Sequence, residues 1–240
     1  MRRFYLPEID CESGHAVLEG AEHHHARNVL RLEAGEDISV LDGRGREFIC
    51  RIDAIGKKRT ELTIVRETQA SAPESPLDLT LAAVAVPGDK YDLIIQKAVE
   101  LGVTTFVPLT SARCELNLKE ITKRIERWRR IVLDASKQCG RARLMDLAAP
   151  QEVCGFMRAC PADHLRIFFS ERDGTAFPAE NDSKRITAVI GPKGGWGNAE
   201  LDAAKEADFK IVTLGGRIMR AETAAISVTA ILQHRFGDLN

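Results

Sequence analysis

Aromatic side chains make up only 5% of the 240 residues, and no apolar run approaches the ~20 residues of a membrane-spanning helix. Charge of one sign is missing as well. The formal net charge is −1 at pH 7, so the chain as a whole is not a basic nucleic-acid coat, although footprints follow local clustering rather than totals. The cysteines (Cys11, Cys50, Cys114, Cys139, Cys154, Cys160) include no CxxC pair and no zinc-ligand spacing. Thiols scattered in this way fit a reducing compartment. The opening MRRFYLPEID has no apolar stretch of the kind a secretory signal needs. Neither GxxxxGK[ST] nor a GxGxxG opening a helix occurs, which argues against triphosphate hydrolysis and nicotinamide binding. What is left is a soluble, cytoplasmic globular protein without a membrane partner or a structural metal.

A hydrophobic fraction of 44% beside 29% charged residues is enough to bury a core. Residues 1–70 have the pattern of a small β-rich domain. Strands at 38–41 and 47–52 flank the hairpin turn Asp42-Gly43-Arg44-Gly45-Arg46, another strand lies at 60–65, and 22–32 forms a short helix. Residues 68–76 (TQASAPESP) are small, polar and proline-bearing and mark the boundary to a second domain, 77–240. There, buried strands at 77–86, 103–109, 165–169, 186–190 and 209–214 alternate with helices. Asp89 is placed to cap the first helix, and Gly102 to stop it. One amphipathic helix is expected over 119–138, with Ile121, Ile125, Trp128, Ile131 or Val132, and Ala135 on one stripe. Alternation of this kind predicts an α/β fold on a mostly parallel sheet, with ligands beyond the carboxyl ends of its strands.

Polar clusters come next. His23, His24 and His25 invite a metal, but consecutive helical residues point about 100° apart and cannot all hold one ion. Between Ser111 and Met145, ten Lys or Arg face four acids. One reading is a solvated helix face with internal ion pairs. The other is a phosphate-binding surface that adds Arg2, Arg3, Arg27 and Arg31 of the first domain. The last third is the most organised stretch. Strand 186–190 runs into Gly191-Pro192-Lys193-Gly194-Gly195-Trp196-Gly197, and strand 209–214 into Gly215-Gly216-Arg217-Ile218-Met219-Arg220. An apolar helix, 221–236, starts directly on the second turn. Glycine turns let backbone N–H groups approach a polar ligand closely. Glu222 and Thr223 stand where acids and hydroxyls cap helices.

The runs Ile190–Trp196 and Leu214–Ala224, together with Lys97–Gly102, Gln138-Cys139-Gly140-Arg141 and His24–Arg31 with Gly35, resemble the SPOUT class of S-adenosylmethionine-dependent RNA methyltransferases. Within that class the chain is similar to the RsmE family, over nearly its whole length. The resemblance implies a PUA-like β-barrel before a knotted α/β domain whose final segment forms a trefoil knot. It implies a homodimer acting on N3 of a uridine in 16S ribosomal RNA, in naked RNA or in the small subunit. S-adenosylmethionine is then expected against Phe169, Ser170 and Glu171, against Ile190, Gly191, Pro192, Gly194 and Gly195, and against Leu214, Gly215, Arg217, Ile218, Met219, Ala221 and Thr223. Arg220 and Glu222 are the expected catalytic residues: a guanidinium to stabilise a uracil anion and a carboxylate to take its proton. Arg2, Arg3, His25, Arg27, Arg31, Arg113 and Arg141 are the expected RNA contacts. Lys193 and Lys137 depart from the family, which usually has Glu at both places. The alternatives are a non-catalytic ribosome-assembly protein and a SPOUT enzyme acting on another RNA.

Overall fold

The computed structural model describes residues 1–172, 174–177 and 183–239. The chain forms two compact units. One comprises residues 1–74 and 133–144, and the other 75–132 and 145–240.

The first unit is built on a five-stranded sheet of β1 (Arg3–Tyr5), β3 (Asp37–Leu41), β4 (Glu47–Ile55), β5 (Arg59–Thr68) and β2 (His15–Glu19), in that order. All neighbours are antiparallel except β1 and β3. Alternate residues point inward, and Phe4, Leu18, Ile38, Val40, Phe48, Ile52 and Leu62 form the core. The helix α1 (Gly20–His24) continues into a π-helical turn over His25–Val29. The histidines diverge there: His23 is buried with its Nδ1 against the Thr60 hydroxyl at 2.8 Å, His24 meets Asn28, and the His25 ring packs edge-on to Phe4.

Residues 133–144 join this unit through arginines. The Arg3 guanidinium donates to the carbonyls of Ser136 (2.8 Å), Lys137 (3.2 Å) and Arg141 (3.1 Å) and pairs with Glu47. Arg141 forks onto Glu74, and Lys137 pairs with Glu22. The linker at 68–76 puts 133–144 in the second domain by sequence order, while the long-range charge pairs group this segment with the first compact unit.

The second unit carries a seven-stranded sheet in which every described pairing is parallel. Its path is β12 (Lys210–Val212), β10 (Leu165–Phe169), β11 (Arg185–Ile190), β6 (Asp78–Val84), β7 (Thr105–Thr110) and β8 (Asp146–Leu147), with β9 (Gln151–Glu152) also on β7. One face buries Ala82, Val84, Val107, Leu109, Phe168 and Val189 under α5 (Val153–Ala159) and α6 (Asn198–Glu206). Tyr91 of α2 (Asp89–Glu100) packs on the other face, against Phe106 and against Trp128 of α4 (Ile125–Cys139). The last helix, α7 (Ala221–Phe236), lies beside α2 and β11. The buried Gln233 amide fastens it by donating to the Gly102 carbonyl and accepting from the Ser75 hydroxyl.

Two local expectations change. Gly88, at φ +76°, takes the N-cap position, and Asp89 is the first helical residue. The helix expected over 119–138 is two helices, α3 (Leu118–Thr122) and α4. Asn117 and Glu120 form a reciprocal capping box, and the Thr122 hydroxyl bonds the Leu118 carbonyl, a competition that bends helices.

Candidate active site

Three neighbouring strands end at one level. Phe169 of β10 is in register with Ile190 of β11 on one side and Val212 of β12 on the other. The loops that leave these ends converge, and a cavity of roughly 800 Å³, its open mouth included, lies between them and α7. This is the place where parallel sheets hold ligands.

Each loop is pinned. The Ser170 N–H donates to Val212 at 3.0 Å, and the Trp196 indole N–H donates to the Phe169 carbonyl at 2.8 Å. Trp196 lies 8% exposed in the core beside Phe168. The turn before it closes on itself, with the Gly195 N–H bonding the Pro192 carbonyl, and Arg113 donates to the Gly194 carbonyl at 2.9 Å. The buried Glu200 carboxylate accepts from the Gly197 and Ala112 N–H groups, so the loop after β7 is tied to the same turn. Glycine is required at two points. A Cβ on Gly191 would stand 2.8 Å from the Trp196 ring, and Gly195 has φ +69° with the Glu171 carboxylate 3.0 Å from where its Cβ would be.

Phe169, Ser170 and Glu171 line the cavity from the first loop, and Ile190, Gly191, Pro192 and Gly195 from the second. Leu214, Gly215, Arg217, Ile218, Met219 and Ala221 close it from the third. Gly194 and Thr223 of the expected set do not line it. Thr223 is exposed on the first turn of α7, and the Gly194 carbonyl turns to Arg113. Lys193 and Gly216, inside the two glycine turns, line it as well, and so do Trp196, Ala224 and Val228, which the sequence reading left out. Spacing held the signal for two of them, because Ala221, Ala224 and Val228 recur at helical intervals on one face.

Arg220 and Glu222 lie outside this cavity, in an adjoining one. Arg220 is exposed at the N-cap of α7 and does not use its side chain for capping. Glu222 forms an ion pair with Lys90 at 3.2 Å. Partial burial pushes its carboxyl upward, but its own N–H, the Lys90 ammonium and Arg220 outweigh this and hold it below the usual range.

Two expected RNA contacts are corrected. Arg3 and Arg141 have side chains only 7% and 5% exposed and are committed to Glu47 and Glu74. Arg2, His25, Arg27, Arg31 and Arg113 are exposed, although Arg27 also donates to the Lys57 carbonyl. Part of the basic helix is paired, Arg129 within the helix with Glu126, and Arg127 across to Asp89 and Asp92 of α2. Lys119, Lys123, Arg124 and Arg130 form no ion pair among the described residues.

The cavity suits a ligand with a flat apolar part and a polar part. Ile190, Leu214, Ile218, Met219 and Val228 give aliphatic walls, the glycine turns bring backbone close, and Glu171 is the carboxylate in the lining. Comparison with known proteins gives this fold and site their class, an RNA methyltransferase. The family model of the RNA methyltransferase domain matches residues 73–233, and that of the RNA methyltransferase PUA domain matches residues 18–65. The ribosomal RNA small subunit methyltransferase E of Aquifex aeolicus is 32% identical over 91% of this chain and 93% of that protein. The Bacillus subtilis protein of the same name is 30% identical over 91% and 89%. The crystal structure of the Neisseria gonorrhoeae enzyme, bound to S-adenosylmethionine, superposes with a TM-score of 0.91 over 100% of both chains at 34% identity. The chain belongs to the ribosomal RNA small subunit methyltransferase E family, with a SPOUT-type α/β domain and a PUA-like one.

Proposed function

We propose that this protein uses S-adenosylmethionine to methylate N3 of a uridine in 16S ribosomal RNA. The observation that carries the reading is the cavity at the ends of β10, β11 and β12, in a chain that matches the family over both units. The glycine turns and the aliphatic walls fit an adenosyl group, and Glu171 offers a counter-charge to a cation. The cofactor, when bound, supplies a methyl carbon made electrophilic by its sulfonium.

The protein's task is then to prepare the acceptor. Uracil N3 carries a proton at neutral pH and is a poor nucleophile until that proton leaves. Glu222 is ionised under those conditions and can accept it. Its depressed pKa makes it a weak base, however, and each unit of mismatch costs about 1.4 kcal/mol. Cations beside the ring must offset that gap, and Arg220 is one. Arg2, His25, Arg27 and Arg31 would meet the RNA from the first unit. The exposed Ile218, on the rim of the cofactor cavity, favours a homodimer whose second copy covers it. A ribosomal substrate fits an enzyme working in the cytoplasm.

The test is incubation of the full chain with S-adenosylmethionine and small-subunit RNA or assembled subunits, followed by mass spectrometry of the RNA. One N3-methyluridine is expected. A different modified nucleotide overturns the target, and no cofactor binding by calorimetry overturns the enzyme. For Glu222→Gln we expect slower transfer at every pH at which the parent is active. A rate and pH profile identical to the parent's would leave Glu222 with only its pairing to Lys90.

A further inference from the structure

The cofactor cavity shares a wall with a second one of about 740 Å³, its mouth included, within the size range of small-molecule sites. Lys193 and Ala221 line both. Five charged side chains face the second cavity: Lys90 from α2, Glu115 from the loop after β7, Lys193 from the glycine turn, and Arg220 and Glu222 from the start of α7. Lys90 and Glu222 satisfy each other. Lys193 and Arg220 form no ion pair and donate no side-chain hydrogen bond among the described residues, which leaves the cavity with two uncommitted cations. On the other side of the wall, Glu171 and Arg217 face the cofactor cavity.

The position of Lys193 matters because its ammonium stands on the wall between a sulfonium on one side and the acceptor on the other. A fixed ammonium on the shared wall repels a sulfonium, and on that side only the carboxylate of the cofactor's methionyl end could attract it. The ammonium attracts an anion on the other side. Resting on the methyltransferase reading above, we infer that this second cavity takes the acceptor base and that Lys193 is a catalytic residue, its ammonium holding the negative charge that forms on the uracil ring. In that step the N3–H bond breaks and its electron pair stays on the ring, spread over O2 and O4. The proton goes to the Glu222 carboxylate, forming an O–H bond. Arg220 and Lys193 share the ring charge from two sides, and Lys90 keeps Glu222 in place.

The test is the pH dependence of turnover, measured on the full chain at saturating cofactor and RNA, with calorimetry of cofactor binding in parallel. In Lys193→Gln the apparent pKa of the rising limb should move up by about one unit, with roughly tenfold slower turnover below it, the size of shift that one nearby opposite charge produces. Lys193→Arg should restore the parent profile. Cofactor affinity in Lys193→Gln should equal or exceed the parent's, because a repulsive charge has been removed. A parent that binds cofactor and transfers methyl, with a Lys193→Gln profile superimposed on it, overturns this inference alone. Weaker cofactor binding in Lys193→Gln with an unchanged pH profile overturns it too, since the ammonium would then serve the cofactor side. A parent that binds no S-adenosylmethionine takes down the methyltransferase reading and this inference together.

Discussion

Arg220→Ala should lose methyl transfer by about 10²- to 10³-fold in kcat, the usual cost of deleting a donor aimed at developing charge. Cofactor affinity should stay within a few-fold, because Arg220 lines the acceptor cavity and not the cofactor cavity. The fold gives an independent reason to expect a clean result. Arg220 occupies the N-cap with extended backbone (φ −65°, ψ 153°), its side chain makes no capping bond, and alanine adopts that conformation freely. No hydrogen bond is lost with the side chain. Arg220→Lys should recover only part of the rate, because an ammonium keeps the charge but loses the planar fork that can address two oxygens. Single-turnover kinetics beside calorimetry separate these effects, and near-normal turnover in Arg220→Ala would remove it from the chemistry. The neighbouring Glu222 sharpens the point. A carboxylate held below its usual pKa cannot pull a proton from an imide unless the anion left behind is stabilised.

Features set by local chemistry could be read in the sequence. The last helix was placed at 221–236 and runs Ala221–Phe236, because a long apolar stretch starts directly on a glycine turn. The strand expected at 165–169 has the same bounds in the structure, and the other four expected strands of the second unit agree to within a few residues, whereas the two-residue strands β8 and β9 carry no pattern long enough to read. Thirteen of the fifteen residues expected against the cofactor line the cavity, since they lie on three loops that the strand order had to bring together. Partner choice was not legible. Arg3 and Arg141 looked like surface cations by composition, yet each has a carboxylate far along the chain, Glu47 and Glu74. Nothing in a periodic pattern encodes such a pair. The same limit hid the contribution of Trp196, whose indole N–H bonds the Phe169 carbonyl at the cavity. Lys137 belongs here as well. Its departure from the family's acid is matched inside the first unit by Glu22, so it reads as a structural pair.

Arg3→Ala tests the most consequential of these reassignments. If Arg3 were an RNA contact, its loss would weaken RNA binding and leave folding alone. The structure expects the opposite. The guanidinium is 7% exposed, pairs with a carboxylate that is 2% exposed, and satisfies three backbone carbonyls at the end of α4 and in the segment after it. Removing one partner of a buried pair costs about 3–5 kcal/mol, because the other is left charged without compensation. Burial pushes the Glu47 carboxyl up, but Arg3, the Ser39 hydroxyl and the Ser71 N–H outweigh it and hold it below its ordinary value. In the parent, this group's contribution is therefore present above the unfolded carboxylate range and is lost as pH falls through the lowered folded value. In Arg3→Ala burial is no longer outweighed by the guanidinium, so Glu47 can relieve its uncompensated charge by taking a proton. The stability gap between parent and variant should be widest at neutral pH and should narrow in mild acid. Hydrogen exchange of peptides from residues 1–74 is the suitable measurement, since both tryptophans, Trp128 and Trp196, lie in the other unit. Faster exchange there at neutral pH is expected in Arg3→Ala and not in Arg27→Ala, whose side chain is exposed. Equal exchange in parent and Arg3→Ala would mean that the guanidinium does not hold this unit together in solution, and would return Arg3 to the RNA-facing set.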